Sequence, residues 1–232
     1  MRIRYIKHNK IEPEMFADDH KIDYDMPTIF CGFPKETFLM LTGDYKLEKY
    51  LYVDKIPANV KIIKVPIPKG VRAGVITYFK DTAKIDLHIP KGMIPKEVIT
   101  KALSATVVKT LKLQKFNPIY RNNDLLIEVN GKLRKFCGSF RCELKGWDYY
   151  AIPVSFHIDY DLMKDIYRLD TQKMAKKGKI DNMSDVVMGL DEIGVTGKET
   201  FIDLFVENLA KRFNWDIVTG DFSSIEKNQI ND

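Results

Sequence analysis

The sequence lacks a long apolar run, and it contains few cysteines. A membrane-spanning helix needs about 20 consecutive apolar residues, and no stretch of the 232 residues approaches that length. The three cysteines, Cys31, Cys137 and Cys142, do not have the spacing of a metal site and cannot all pair in disulfides. No secretory leader is visible, so we expect a cytoplasmic protein in a reducing compartment with no membrane partner.

An excess of charge of one sign is also absent. The 37 basic and 32 acidic residues give a formal net charge of only +5, which does not by itself indicate nucleic-acid binding. This balance is compatible with an acidic protein partner or a ligand that carries phosphate. The hydrophobic fraction of 45% is sufficient for a substantial core, and we find no internal repeat. The length allows one large α/β domain or two small ones.

Turn signals and hydrophobic periodicity predict short strands and two long helices. Residues 74–80 and 85–89 have the pattern of two strands that pair as a hairpin. Apolar residues recur every four positions after Pro95, which predicts a helix with one buried face. Thr196 and Glu199 have the spacing of a capping box, which predicts a second helix that ends near residue 213. Other strands are expected at residues 38–42, 60–65 and 147–157.

The most informative segment is residues 123–140, NDLLIEVNGKLRKFCGSF, which has the pattern of a β-hairpin. Apolar and polar residues alternate along its first half, as they do in a half-buried strand. Asn130 and Gly131 supply a two-residue turn, because both residues tolerate the positive φ that a type I′ turn requires. Strict alternation along the second half predicts that Lys135 and Cys137 share one face of the returning strand.

Lys135 lies three residues before a Gly138-Ser139 step. Glycine has no Cβ, so backbone at Gly138 can approach a ligand closely. A lysine held there by a rigid strand could present its ammonium group to a phosphate or to a developing oxyanion. The pattern leaves a second interpretation open, in which Lys135 is a surface lysine beside a solvent-facing bulge.

This segment resembles the signature of the lipoate–protein ligase family. Residues 123–124, 130–132 and 135–139 follow that signature in order: Asn-Asp, a short hairpin, then a lysine, two further residues and Gly-Ser. Residues 149–159 and 173–190 are similar to the next two segments of the family. The resemblance covers roughly residues 65–215.

The resemblance implies a mixed α/β fold, with largely antiparallel sheets flanked by helices as in the biotin/lipoate ligase catalytic domain. It implies one domain over residues 1–220, followed by a polar tail at 221–232. The implied activity is transfer of a lipoate- or octanoate-type acyl group to a protein lysine, through a bound acyl-adenylate or acyl thioester. The implied cofactors are ATP and Mg²⁺, and the implied acceptor is a lipoyl domain or another lysine-bearing protein. An accessory subunit is a further expected partner, because the sequence has no room for the small C-terminal domain of bacterial ligases.

The same resemblance assigns roles to individual residues. Lys135 corresponds to the catalytic lysine of the family, and Asp124 would also hold the metal ion. The residues that would bind the acyl group or the nucleotide are Arg72, Gly74, Tyr78, Asn123, Asp124, Gly138 and Ser139.

One segment differs from the corresponding motif of the family, so the sequence leaves two other functions open. The glycine-rich loop of the family corresponds to residues 69–81, where only Gly74 and Tyr78 keep their places. Ala73 and Val75 replace glycines and restrict the approach of backbone to phosphate. One alternative is therefore a non-catalytic protein that binds a ligand or partner in the same fold. Another is an acyl or aminoacyl transferase with a different acceptor, such as nucleic acid.

Two further side chains have both a chemical and a structural interpretation. Cys137 could form a thioester intermediate, or it could be a buried structural thiol. His157 could be a general base, or it could be a packed or surface residue.

Overall fold

The computed structural model describes residues 1–18, 22–42, 47–65, 74–113, 115–121, 124–144, 146–169, 182–223 and 226. The helices are α1 (Pro13–Asp18), α2 (Lys96–Leu113), α3 (Tyr160–Ile166) and α4 (Lys198–Phe213). The strands are β1 (Arg2–Ile11), β2 (Thr28–Pro34), β3 (Phe38–Thr42), β4 (Lys61–Val65), β5 (Gly74–Tyr78), β6 (Thr82–Pro90), β7 (Ile119–Arg121), β8 (Asp124–Val129), β9 (Lys132–Gly138), β10 (Phe140–Leu144), β11 (Trp147–Ser155) and β12 (Asp216–Thr219).

These strands form two sheets. The larger sheet has the order β12-β1-β2-β6-β11-β9-β8-β7, and β10 also pairs with β11. The smaller sheet has the order β4-β3-β5. Strand pairs β1–β12, β1–β2 and β3–β4 are parallel, whereas the pairs in the rest of both sheets are antiparallel. The predicted mixed α/β class with a largely antiparallel sheet is confirmed.

The main core fills one face of the larger sheet, beneath α2 and α4. Ile85 and Leu87 of β6 pack there with Leu103 and Val107 of α2 and with Phe205 of α4, each at most 2% exposed. The four-residue spacing that predicted α2 thus corresponds to its buried face. None of the helices in the described part of the chain is both long and apolar enough to cross a bilayer.

The smaller sheet covers the opposite face of the larger one. Ile6 and Phe30 of the larger sheet pack with Phe38 and Tyr78 of the smaller sheet and with Phe222. The rings of Phe38 and Tyr78 are stacked, with their centroids 5.2 Å apart. The central strands are therefore buried on both faces, so a polar side chain on this second face lies between two sheets.

Two local predictions are wrong. Residues 74–80 and 85–89 do not form a hairpin, because β5 pairs with β3 whereas β6 pairs with β2 and β11. The chain passes from the smaller sheet to the larger one between these strands. The predicted capping box is also absent, because the N-cap residue of α4 is Gly197, which has no side chain to accept a hydrogen bond.

Two residues of the predicted polar tail pack against the domain and do not fray. Phe222 is 5% exposed, and Glu226 is 1% exposed. Glu226 accepts a 2.5 Å hydrogen bond from the Arg4 guanidinium on β1. Burial raises the pKa of this carboxyl, but the hydrogen bonds from Arg4 and from the Ser223 amide outweigh it and hold the pKa below its ordinary value. Glu226 therefore anchors this segment to β1 as a charged group.

Candidate active site

The hairpin at the centre of the site is formed by β8 and β9. Asn130 and Gly131 connect the strands with φ values of 52° and 74°, which are the two positive values that a type I′ turn requires. The predicted two-residue turn at Asn130 and Gly131 is therefore confirmed. This tight turn fixes the register of the pair, in which Val129 faces Lys132.

A β-bulge in β9 separates Lys135 from Cys137. Leu126 pairs with Lys135 but Leu125 pairs with Cys137, so Phe136 is an additional residue on β9. The prediction of strict alternation along this strand is wrong. Phe136 and Cys137 are both 2% exposed and both belong to the main core, whereas Lys135 remains partly exposed. The bulge therefore lets apolar residues fill the core beside a lysine that reaches the surface of the sheet.

The Lys135 ammonium group lies beside an acidic side chain and a glycine. Its Nζ is 2.6 Å from Oδ1 of Asp124 on the neighbouring strand, and each side chain is 36% exposed. A Cβ placed on Gly138 would stand 3.0 Å from the same Nζ. Glycine at this position therefore leaves room for the lysine to lie across the strand. Lys135 thus lies beside the bulge as a partly exposed lysine with an ion-pair partner, and its catalytic role stays a prediction.

The backbone of Lys135 is bound on its other side by the segment 182–193. The Lys135 amide donates to the Val186 carbonyl at 2.8 Å, and the Met188 amide donates to the Lys135 carbonyl at 2.9 Å. Lys135 thus forms a parallel bridge with Val187 as well as its pair with Leu126. These contacts fix the position of the residue from two directions.

Arg134 binds the same segment through its buried side chain, which is 9% exposed. Its Nη1 lies 2.8 Å from a Glu192 carboxylate oxygen, and its Nη2 donates to the Tyr160 hydroxyl at 2.6 Å and to the Val187 carbonyl at 3.0 Å. Sequence reasoning assigned no role to Arg134 and missed this network. Its partners come from regions distant in the sequence.

Arg134→Met is expected to destabilise the protein by about 2 to 4 kcal/mol, because it leaves the partly buried Glu192 without its cation. A matched control lies on the same strand. Lys132 pairs with Asp185 of the same segment but is 62% exposed, so Lys132→Met should cost less than about 1 kcal/mol. Urea unfolding of the two variants measures both values. Equal losses of unfolding free energy in the two variants would show that Arg134 does not anchor the segment 182–193.

The Glu192 carboxyl gives this network a pH dependence. Burial raises the pKa of Glu192, but hydrogen bonds from Arg134, Tyr160 and the Gly189 amide outweigh it and lower the pKa below the ordinary value of 4.5. A lowered folded-state pKa stabilises the protein above the ordinary value, and this contribution is lost as the pH falls through the folded-state pKa. Glu192→Gln should therefore flatten the loss of stability below pH 4.5. Denaturant titrations at several pH values measure this loss. In the control variant Glu128→Gln, which changes an exposed carboxyl, the free energy of unfolding should fall with decreasing pH as it does in the wild type.

Cys137 is too deeply buried to act as a nucleophile. Burial raises its pKa to about 12, and the nearby Lys135 ammonium only partly opposes this shift. Cys31 and Cys142 are buried as well. The structure therefore favours the structural interpretation of Cys137 over a thioester intermediate.

The native protein is expected to react slowly with a thiol reagent such as Ellman's reagent at neutral pH, and all three thiols should react after unfolding. Cys137→Ala should lower the free energy of unfolding, because it removes a buried side chain from the main core. Rapid labelling of Cys137 in the native protein would contradict this assignment.

The structure brings together three of the predicted site residues, Asp124, Lys135 and Gly138. Gly74 begins β5, and its amide donates to the Thr42 hydroxyl at 2.9 Å. Tyr78 is 1% exposed and lies in the core between the sheets. Arg72 and Asn123 lie outside the described residues.

Ser139 lines a different cleft, on the side of the sheet that packs against α2. This cleft, of about 170 Å³, is also lined by residues of α2, β10 and β11, namely Thr100, Leu103, Phe140, Arg141, Tyr150 and Ile152. This cleft is not lined by Lys135 or Asp124.

Asp124, the predicted metal ligand, pairs with Lys135. Among the residues that the structure describes, no group of three or more acidic, histidine or cysteine side chains could hold a metal ion. His157, the candidate base, is 54% exposed, and its Nδ1 lies 2.7 Å from an Asp191 carboxylate oxygen. The metal role of Asp124 and the base role of His157 stay predictions.

Comparison with known proteins identifies the fold. No protein-family model and no curated protein matches this sequence. Among solved structures, the chain is similar to a bi-partite lipoate protein ligase from Thermoplasma acidophilum, described with its E2 lipoyl domain, at a TM-score of 0.80 and 12% identity over 100% of this chain and 91% of that one.

Two other solved structures have the same architecture. A lipoate-protein ligase A bound with ATP has a TM-score of 0.76 at 11% identity, over 100% of this chain and 93% of that one. P. falciparum LipL1 in complex with lipoate has a TM-score of 0.69 at 11% identity, over 99% of this chain and 70% of that one. The resemblance predicted from the central hairpin is thus confirmed at the level of the fold, and this chain has the fold of the lipoate–protein ligases.

Proposed function

We propose that this protein transfers a lipoate- or octanoate-type acyl group to a lysine of an acceptor protein such as a lipoyl domain. One observation carries the proposal. The Lys135 ammonium lies over Gly138, on the fold that lipoate–protein ligases share, and is held there by Asp124. A cation fixed on a strand beside a glycine is suited to bind the carbonyl or phosphate oxygens of an activated acyl group.

Transfer requires stabilisation of negative charge at the acyl carbonyl. The acceptor lysine, as a neutral amine, attacks the carbonyl carbon and forms a C–N bond, and the C–O bond to the phosphate breaks as AMP leaves. The amine loses one proton, which passes to solvent or to AMP. The Lys135 ammonium would hold the carbonyl and phosphate oxygens throughout, and Asp124 would keep that ammonium in position between turnovers. A charge-stabilising group of this kind typically contributes 10²–10³-fold in rate.

The residues present are compatible with a nucleotide and Mg²⁺. Because Gly138 has no Cβ, the Lys135 ammonium can lie over it, where it would present its charge to a phosphate oxygen. Mg²⁺ commonly uses one or two carboxylates together with phosphate oxygens, and Asp124 would supply one carboxylate. Arg72, Gly74, Tyr78, Asn123 and Ser139 are kept as the proposed binding residues. The structural neighbours include one described with bound lipoic acid and one with ATP.

The direct test is to weigh a lipoyl domain after incubation with this protein. One sample contains octanoate or lipoate with Mg-ATP, and a second contains preformed octanoyl-AMP. A mass gain of one acyl group in both samples supports the proposal, and a gain only with octanoyl-AMP assigns the activation step to another protein. No gain in either sample, also when an accessory subunit is added, would overturn it. If ATP and octanoyl-AMP also leave the melting temperature unchanged, the result supports the non-catalytic alternative.

A further inference from the structure

The backbone of Lys135 is supported by the segment 182–193 in place of a regular neighbouring strand. In the described part of the chain, β11 pairs with β9 at a single position, which lies two residues beyond Lys135. At Lys135 itself, the amide donates to the Val186 carbonyl at 2.8 Å and the carbonyl accepts from the Met188 amide at 2.9 Å. On the other side, the bulge at Phe136 interrupts the ladder with β8 immediately after Lys135. The position of Lys135 therefore depends on where this segment lies.

Hydrogen bonds from two side chains converge on Val187, the residue of this segment that is paired with Lys135. The Val187 carbonyl accepts from Nη2 of Arg134 at 3.0 Å and from the Tyr160 hydroxyl at 3.1 Å. The same hydroxyl accepts from Arg134 Nη2 at 2.6 Å and lies 2.5 Å from Oε1 of Glu192. Tyr160 is thus at the centre of this network, because it contacts each of its other members.

Tyr160 is held in place by an element that belongs to neither β9 nor the segment 182–193. It is the first residue of α3, whose N-cap Asp159 accepts a hydrogen bond from the Leu162 amide. Its ring packs against the apolar cluster that contains Met163. Burial raises the pKa of the Tyr160 hydroxyl above its ordinary value, so the group keeps its proton at neutral pH. A neutral donor on α3 therefore fixes the segment from outside the hairpin.

The precision of this support matters for the reaction proposed at Lys135. The ammonium has to lie within hydrogen-bond distance, about 3 Å, of the acyl carbonyl or phosphate oxygens. A displacement of about 1 Å, even one caused by a substitution outside the reacting groups, can lower a rate by about 100-fold. The Tyr160 hydroxyl is one of several contacts that hold the segment, so its loss should have a smaller effect, of about tenfold.

We infer that Tyr160 is a positioning residue for Lys135, and that its hydroxyl acts through the backbone of Val187. Tyr160 takes no part in bond making and holds the lysine where the acyl group is transferred. This inference rests on the proposed function for its effect on the rate. The structural step, from the Tyr160 hydroxyl to the backbone of Lys135, does not depend on that function and can be measured separately.

Tyr160→Phe tests the inference, because it removes the hydroxyl and keeps the ring. In single-turnover transfer from octanoyl-AMP to a lipoyl domain, the maximal rate should fall about tenfold, and the half-saturating concentration of the lipoyl domain should stay the same. The matched control is Tyr5→Phe. The Tyr5 hydroxyl also binds a carboxylate, that of Asp203 at 3.1 Å, but it lies on β1, which β2, β6 and β11 separate from β9. This control loses one hydrogen bond as well and should keep the wild-type rate.

An equal rate in wild type and Tyr160→Phe, or a loss that Tyr5→Phe shares, would overturn the inference while leaving acyl transfer intact. A raised half-saturating concentration with an unchanged maximal rate would also overturn it, because Tyr160 would then act in acceptor binding. If the wild type transfers no acyl group, the proposed function fails and hydrogen exchange decides the inference. The amides of Lys135 and Met188 should exchange about tenfold faster in Tyr160→Phe than in wild type or Tyr5→Phe. Unchanged exchange of these amides would overturn it.

Discussion

Lys135→Ala is expected to lower the rate of acyl transfer to a lipoyl domain by about 100-fold or more. The substitution removes the cation that lies across Gly138 and leaves the Asp124 carboxylate without its partner. That carboxylate would then repel the phosphate and the developing oxyanion. The effect should appear mainly in kcat, because charge on the acyl carbonyl grows as the transition state forms. Single-turnover transfer from octanoyl-AMP measures it without the activation step.

Two control variants test whether the loss of rate is specific to the Lys135 ammonium. Lys132→Ala removes an exposed lysine of the same strand and should leave the transfer rate within a few-fold of wild type. Lys135→Arg keeps the charge, but its planar guanidinium is larger than the ammonium that lies over Gly138, so only partial recovery is expected. An unchanged transfer rate in Lys135→Ala would show that Lys135 takes no part in the reaction. Equal melting temperatures for the alanine variants would exclude a folding defect as the cause of a slow rate.

Lys84 and Asp86 of β6 form a buried ion pair, with Lys84 Nζ 2.7 Å from Asp86 Oδ2 and the side chains 2% and 0% exposed. This pair predicts an unusual pattern of stabilities. Lys84→Met alone and Asp86→Leu alone are each expected to destabilise the protein by about 3 to 5 kcal/mol, because each leaves one charge buried without a counterion. The double variant should lie within about 1 kcal/mol of wild type, since both charges leave together. Urea unfolding of the four proteins forms a double-mutant cycle.

The surface pair of Lys211 and Glu207 is a matched control for this cycle. These residues lie one turn apart on α4, with their side chains 67% and 55% exposed. Their removal, singly or together, should change stability by less than about 0.5 kcal/mol. If the single variants at Lys84 and Asp86 lose as little stability as these surface variants, water reaches the ion pair, and it is not buried as described.

Local sequence signals predicted those features of the fold that depend on few residues. The Asn130-Gly131 turn follows from the backbone preferences of two adjacent residues, and it is present with both φ values positive. The four-residue spacing of apolar side chains in α2 could likewise be read from the sequence, because a single face of this helix packs against the main core. The contact between Lys135 and Gly138 also joins residues only three positions apart, whereas the catalytic role of Lys135 came from the family resemblance and stays a prediction.

The features that were missed depend on contacts between distant segments. The bulge at Phe136 allows two consecutive side chains to enter the core, which no alternating pattern predicts. The pattern of β6, with Lys84, Asp86 and His88 at alternate positions, is typical of a strand with one face in water. That face is buried because the smaller sheet packs over it, and this packing joins strands far apart in sequence. Arg134 is buried for a similar reason, since its partners follow β9 by more than 20 residues.

The most direct test of the account is a crystal structure of the protein with a non-hydrolysable acyl-sulfamoyl adenosine. The account predicts that Lys135 Nζ leaves Asp124 and lies about 3 Å from the acyl carbonyl or the sulfamoyl oxygens. An analogue bound elsewhere, with the ion pair of Lys135 and Asp124 unchanged, would contradict it.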